Sequence, residues 1–350
     1  MDAIELTILD SSSKEFALTF ARRGDDVAVR KIPFDKDFDR LASFNQQIFD
    51  VLKGVGGVDR PQPDGIVDFG RKLFAFVFKD DLKVLYDRLP ETHVSIKILS
   101  TEPRLRQLAW EFLQEPNRLC PRAGRCVVRV IPTIGRQALE PIPKDKVTKV
   151  LFVAADPVGL KGVSWDDVRE SLERVYGARL GSLNLDLIEG TDRDSLVDAL
   201  LSRKFDIVHF SCHGDVVKGK GRLILINRAT KRPDYITSEE LGVVLSNRGI
   251  RLVILSACST SAGNVDDDFA SIAETLVRQG IQAVVANQAP VLNKTVAVFV
   301  GALYRELLDT GNIDKAVTSG RIALKLALRD DLEWGIPTLH RLHGAAQLYA

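Results

Sequence analysis

From about residue 145 the chain alternates short runs of Val, Ile, Leu and Phe with longer amphipathic segments, and this alternation restricts the fold more than any other property of the sequence. The runs cover 150–155, 183–188, 205–211, 252–257 and 281–286. Most are nearly continuous in apolar residues, as strands covered on both faces of a parallel sheet must be. Helix signals fill the gaps. Ser164 precedes Asp166 and Asp167, Thr191-Asp192-Arg193-Asp194 resembles a capping box, Thr237-Ser238-Glu239-Glu240 is a full one, and Gly280 closes a helix over 269–279. Two further helices, 295–309 and 314–328, complete the pattern. The expected architecture is α/β, a three-layer sandwich around a mainly parallel sheet, with no repeat to build a solenoid.

Residues 1–135 read differently, as a smaller α+β unit. Strands are expected at 4–9, 16–20 and 27–32, helices at 44–52 and 66–85, and strands again at 93–99 and 126–131. Between the two helices, residues 54–65 hold four glycines and two prolines. Pro103 opens a short amphipathic helix, RLRQLAWEFL, around Trp110. The stretch 132–143 contains three prolines, which places a linker at 136–144 between an N-terminal domain, 1–135, and a second domain, 145–350.

Composition excludes several classes of function. A net charge of +1 over 350 residues gives no field that demands nucleic acid or an anionic membrane. No basic stretch followed by an apolar core opens the chain and no apolar run reaches about 18 residues, so the expected address is cytoplasmic, with no membrane contact. Four cysteines are too few for a disulfide scaffold and are expected as thiols.

Two strand ends carry the chemistry. FDIVHFSCHG, 205–214, delivers His213, and LVILSACST, 252–260, delivers Cys258. Right-handed crossovers bring the carboxyl ends of parallel strands to one rim, where Asp156 also falls. A cysteine nucleophile works as thiolate and needs a base, which His213 supplies. Gly214 lets backbone approach a substrate, and its N–H with that of Cys258 can form an oxyanion hole. The order His then Cys, 45 residues apart, is close to the caspase spacing, but Ser256-Ala257-Cys258-Ser259-Thr260 departs from the caspase motif on both flanks. Simpler readings stand beside these. A lone cysteine is more often a buried hydrophobe, and Cys120 and Cys126 read as bystanders. His209 alternates with His213 and reads as a packed interior residue. Cys212, His213 and Cys258 lack paired C-x-x-C spacing, so no metal and no cofactor is expected.

HFSCHG with LSACST resembles the CHAT-domain family, caspase-like and separase-related cysteine peptidases of clan CD. AVVAN at 283–287, the helix containing Tyr304 and WGIP at 334–337 extend the resemblance, which covers 145–350 well, 90–131 moderately and 1–90 hardly. Helical repeats often precede the family's core, and none is expected from these residues. The resemblance implies a cysteine endopeptidase with His213 and Cys258 as catalytic dyad. Related peptidases hold a basic P1 side chain with a carboxylate, which points to Asp156, Asp267 and Asp268 and to cleavage after Arg more than Lys. Asp266–Asp268 read equally as a helix N-terminal cluster, and Asp156-Pro157 as a turn start. By the same analogy the partners are a protein substrate and an activating protein or ligand that orders the loops 214–221 and 261–268, in bacterial defence or cell death. The alternative is a catalytically silent CHAT-fold signalling or adaptor module that binds a partner protein.

Overall fold

The computed structural model describes residues 4–10, 15–21, 27–52, 63–87, 94–99, 102–115, 121, 123–133, 135–160, 165–178, 183–217, 220–256, 258–259, 270–289, 291, 293–328 and 333–350. Its first part contains β1 (Ile4–Asp10), β2 (Glu15–Ala21), β3 (Val27–Pro33), α1 (Lys36–Leu52), α2 (Pro63–Val77), α3 (Asp80–Asp87), β4 (Val94–Leu99), α4 (Pro103–Arg106) and β5 (Arg125–Val130). The second contains β6 (Thr148–Ala155), α5 (Asp166–Ala178), β7 (Leu183–Ile188), α6 (Arg193–Ser202), β8 (Ile207–Val217), β9 (Lys220–Ile226), β10 (Pro233–Thr237) and α7 (Ser238–Leu245). It continues with β11 (Leu252–Leu255), β12 (Cys258–Ser259), α8 (Ala270–Arg278), β13 (Ala283–Asn287), α9 (Asn293–Thr310), α10 (Ile313–Ala327) and β14 (Pro337–Arg341).

One sheet runs through the molecule in the order β7-β6-β8-β11-β13-β14-β5-β4-β1-β2-β3. Strands β7, β6, β8, β11 and β13 are mutually parallel, as their apolar runs require. Strand β14 is antiparallel to β13 but parallel to β5, and β5, β4 and β1 are parallel in turn. The two groups of parallel strands therefore point in opposite directions. The carboxyl ends of β6, β8, β11 and β13 share one edge.

Helices cover both faces, giving the α/β layers expected. One core joins residues of α1, α2, α5, α9 and α10 and extends from Ile8 to Tyr349. The other gathers α6, α7 and α8 around Val208, Phe210 and Leu276. Where β14 meets β5, Arg341 donates twice to Asp314, at 2.9 Å each, and Asp314 also accepts from Ser95 at 2.9 Å. All three are almost fully buried.

Several local expectations change. The helix expected over 66–85 is two helices, because Asp80 takes φ 50° and turns α3 so that Tyr86 packs on Phe74 and Phe78, with ring centroids at 5.1 and 4.3 Å. RLRQLAWEFL forms a single α turn, then a 3-10 turn at Trp110–Phe112. Asn45 accounts for the break: its amide donates to Gln107 O at 3.0 Å and its Oδ1 accepts from Ala109 N at 2.8 Å, satisfying groups a continuous helix would have paired. Asp192, and not Thr191, caps α6, accepting from Ser195 N at 2.8 Å. The capping box at Thr237 and Glu240 is present, and Gly280, at φ 109°, follows α8. Ser164 lies outside the described residues.

Candidate active site

Strand β8 organises the site. Its even-numbered residues Val208, Phe210 and Cys212 face the α6–α8 core, and its odd-numbered His209 faces α9. As far as Phe210 it lies between β6 and β11, and β6 stays beside it to Cys212. There β6 ends, with Ala155 paired to Cys212. From His213 onward β9 pairs with β8, His213 opposite Ile224, and β12 pairs in parallel, Cys258 opposite His213 and Ser259 opposite Gly214. The loop expected at 214–221 is thus largely a hairpin: β8 runs on to Val217 and β9 begins at Lys220. Asp215 and Arg222 pair across it with hydrogen bonds of 2.9 and 2.7 Å, and the Arg222 guanidinium lies 4.1 Å over the Tyr235 ring. That bidentate pair lets a polar sequence continue as strand.

His213 is 1% exposed, and among the described residues neither ring nitrogen has a hydrogen-bond partner within good geometry. The carboxylate of Asp156 stands beside it, Oδ1 to Nε2 3.5 Å, beyond good hydrogen-bond length. Burial pulls the imidazole below its usual pKa, and Asp156 opposes that pull only in part. The ring is therefore neutral at neutral pH, the state a general base requires. Asp156 itself is 42% exposed at the rim.

Sequence-derived candidates separate clearly. Asp156, His213, Gly214 and the backbone of Cys258 come together at the rim. Gly214 sits between Leu223 of β9 and Ser259 of β12. Asp267 and Asp268, with Asp266 and the rest of 261–268, lie outside the described residues, as does Cys120. Cys126 is buried against Thr318, and burial pushes its thiol up to about 12, which leaves it protonated and inert. Cys212 is buried on the opposite face of β8 from His209. His209 is wholly interior, its Nε2 2.8 Å from Ser256 Oγ and its Nδ1 3.4 Å from Tyr304 Oη. Neither the Asp156 contact nor the Ser256 and Tyr304 partners were visible in spacing, although the position of Asp156 after its strand was the signal for the first. Among the described residues no helix is long and apolar enough to cross a membrane.

A family model described as CHAT domain matches residues 69–343. The chain belongs to the CHAT domain family. Among solved structures, this CHAT domain chain is similar to the Arg-specific cysteine proteinase gingipain R, RgpB of Porphyromonas gingivalis, with TM-score 0.46, 10% identity and coverage of 88% of this chain and 75% of that one. It is similar to the Saccharomyces cerevisiae separase–securin complex, with TM-score 0.42 and 14% identity, over 92% of this chain and 21% of that one. It is also similar to the Drosophila initiator caspase Dronc, with TM-score 0.41 and 10% identity, over 61% of this chain and 86% of that one. No curated protein matches.

Within the CHAT domain match, segments far apart in sequence meet. Phe112 of the RLRQLAWEFL segment packs edge-on against Trp334 of WGIP, centroids 5.1 Å apart, and Gly335 leaves no room for a Cβ beside the Phe112 ring. Gln288, just past β13, donates to Gly335 O at 2.7 Å and to Glu111 at 3.2 Å, while Glu111 pairs with Arg129 at 2.7 Å. Arg106 forms an ion pair with Glu274 of α8. Residues before 135 thus brace the elements that flank Cys258.

Proposed function

We propose that this CHAT domain chain is a cysteine endopeptidase whose dyad is His213 and Cys258. The observation that carries the reading is the direct register of Cys258 with His213, a buried imidazole whose neutral form is favoured and whose Nε2 has the Asp156 carboxylate 3.5 Å away. His213 takes the Sγ proton, and the thiolate attacks the scissile carbonyl carbon, forming a C–S bond. The backbone N–H groups of Gly214 and Cys258 stabilise the oxyanion. Collapse breaks the C–N bond, and the imidazolium protonates the departing amine. Water, deprotonated by the same imidazole, then attacks the thioester, releasing the carboxylate and restoring the thiol.

The substrate is a protein with a basic P1 residue, Arg better than Lys. A rim carboxylate beside the base, Asp156, suits a guanidinium that can approach it with two parallel N–H donors. Activation depends on a partner protein or ligand acting near the dyad. The role by family analogy is in bacterial defence or cell death.

Fluorogenic peptides ending in Arg, Lys or Asp test the reading. The expected order of kcat/KM is Arg, then Lys, with no turnover by Cys258→Ala. Preferential turnover of the Asp peptide contradicts the pocket assignment. Turnover that survives Cys258→Ala contradicts the dyad.

A further inference from the structure

Below the dyad lies a buried polar arrangement that the proposed peptidase chemistry leaves unused. His209 Nε2 is 2.8 Å from Ser256 Oγ, and His209 Nδ1 is 3.4 Å from Tyr304 Oη. The Tyr304 ring stacks on the imidazole at 6.0 Å and 11°, and Phe152 packs 4.9 Å from it. His209 and Tyr304 are inaccessible to solvent and Ser256 is 5% exposed.

The ring has two hydroxyl partners and no carboxylate among them. A neutral imidazole offers one donor and one acceptor, and each hydroxyl can take the complementary role, so both ring nitrogens are satisfied without charge. Burial pulls the pKa of His209 down to about 3. His209 is thus a fixed neutral bridge between a strand exit and a helix.

The place of Ser256 gives this bridge its meaning. The parallel ladder of β11 on β8 ends at Leu255 opposite Phe210 and resumes at Cys258 opposite His213. Ser256 stands in the interval. Its backbone N–H donates to Phe210 O at 2.8 Å, which fixes its position along β8, while the bond to His209 fixes its side chain against α9. We propose that Tyr304, His209 and Ser256 form a positioning relay that holds the chain at the exit of β11, so that Cys258 arrives opposite His213. The relay rests on the reading of His213 and Cys258 as a dyad. Its three members are positioning residues and touch no substrate. Tyr304 lies on α9, which packs on both α5 and α10, so the relay ties the nucleophile's strand to the helix layer.

The test measures iodoacetamide modification of Cys258 in the full chain, by peptide mass spectrometry. Wild type, Ser256→Ala, Ser256→Thr and Tyr304→Phe are each compared with and without His213→Ala, alongside Tm. The quantity read is the acceleration that His213 gives. Misplacement by about 1 Å can cost as much as about a hundredfold, so Ser256→Ala should lose about tenfold or more of that acceleration, with Tm falling only a few degrees. Ser256→Thr should restore it, since threonine keeps the hydroxyl that bonds His209. Tyr304→Phe should lose less. Full acceleration in Ser256→Ala, or a loss that only tracks the unfolded fraction, overturns the relay alone. Equal modification of Cys258 in wild type and His213→Ala overturns the dyad, and the relay with it.

Discussion

Cys258 pairs with His213 at the same offset of 45 residues that pairs Leu255 with Phe210. Strands β11 and β12 therefore follow one line along β8, and the 45-residue spacing of His213 and Cys258 is a strand register. Because a one-residue shift moves every side chain to the other face, the proposed dyad depends on the number of residues between Leu255 and Cys258. One alanine inserted after Ser256 should lower peptidase kcat by about a hundredfold or more, while thermal unfolding, which depends on the undisturbed β11 ladder, changes little. Activity retained in the insertion variant would remove register as the cause.

The acid limb of activity should report His213. Burial holds its pKa below 6.5, so the neutral base persists below that pH and activity is lost only as pH falls through the lowered value. Asp156 favours the charged ring, so Asp156→Asn should lower the pKa further and move the limb to still lower pH. A pH–rate profile of kcat/KM measures both, and a limb that rises in Asp156→Asn contradicts the assignment.

Stability in acid should depend on His209. Its pKa is about 3 in the folded chain against 6.5 as reference, so between those values the unfolded chain binds a proton that the folded chain does not. Stability therefore falls as pH drops through that window, by up to about 1.4 kcal/mol per pH unit for one such group. Burial pulls His340 the same way, followed by Arg129, Arg106 and Arg321. In urea unfolding, His209→Gln should flatten the slope of stability against pH near pH 5 by up to one proton. An unchanged slope excludes a neutral buried imidazole.

The junction of β14 with β5 should be sensitive to charge removal. Asp314→Asn leaves the Arg341 guanidinium buried without its counter-charge, and breaking such a pair costs about 3–5 kcal/mol. Denaturant titration should find a loss in that range. A loss below about 1 kcal/mol would mean that water or a rearranged neighbour compensates Arg341.

The sheet around His213 was legible because β6, β8, β11 and β13 are buried on both faces and spell it in apolar residues. What escaped was held by side chains distant in sequence. The polar residues after Ser211 predict the end of β8 there, yet Arg222 pairs with Asp215 and the strand runs on to Val217. Strand β14 reads Pro-Thr-Leu-His-Arg, too polar for a central strand until Asp314 neutralises Arg341. The break after Arg106 depends on Asn45, more than sixty residues earlier. Likewise, alternation placed His209 in the interior, but only the fold brings Ser256 and Tyr304 to its two nitrogens.

Covalent trapping tests the dyad most directly. A peptidyl acyloxymethyl ketone ending in Arg is incubated with the full chain, and intact-mass and peptide analysis locate the adduct. The expected result is a single thioether at Cys258, abolished in Cys258→Ala and slowed by about a hundredfold or more in His213→Ala. An adduct elsewhere, or one at Cys258 that forms equally fast without His213, contradicts the dyad.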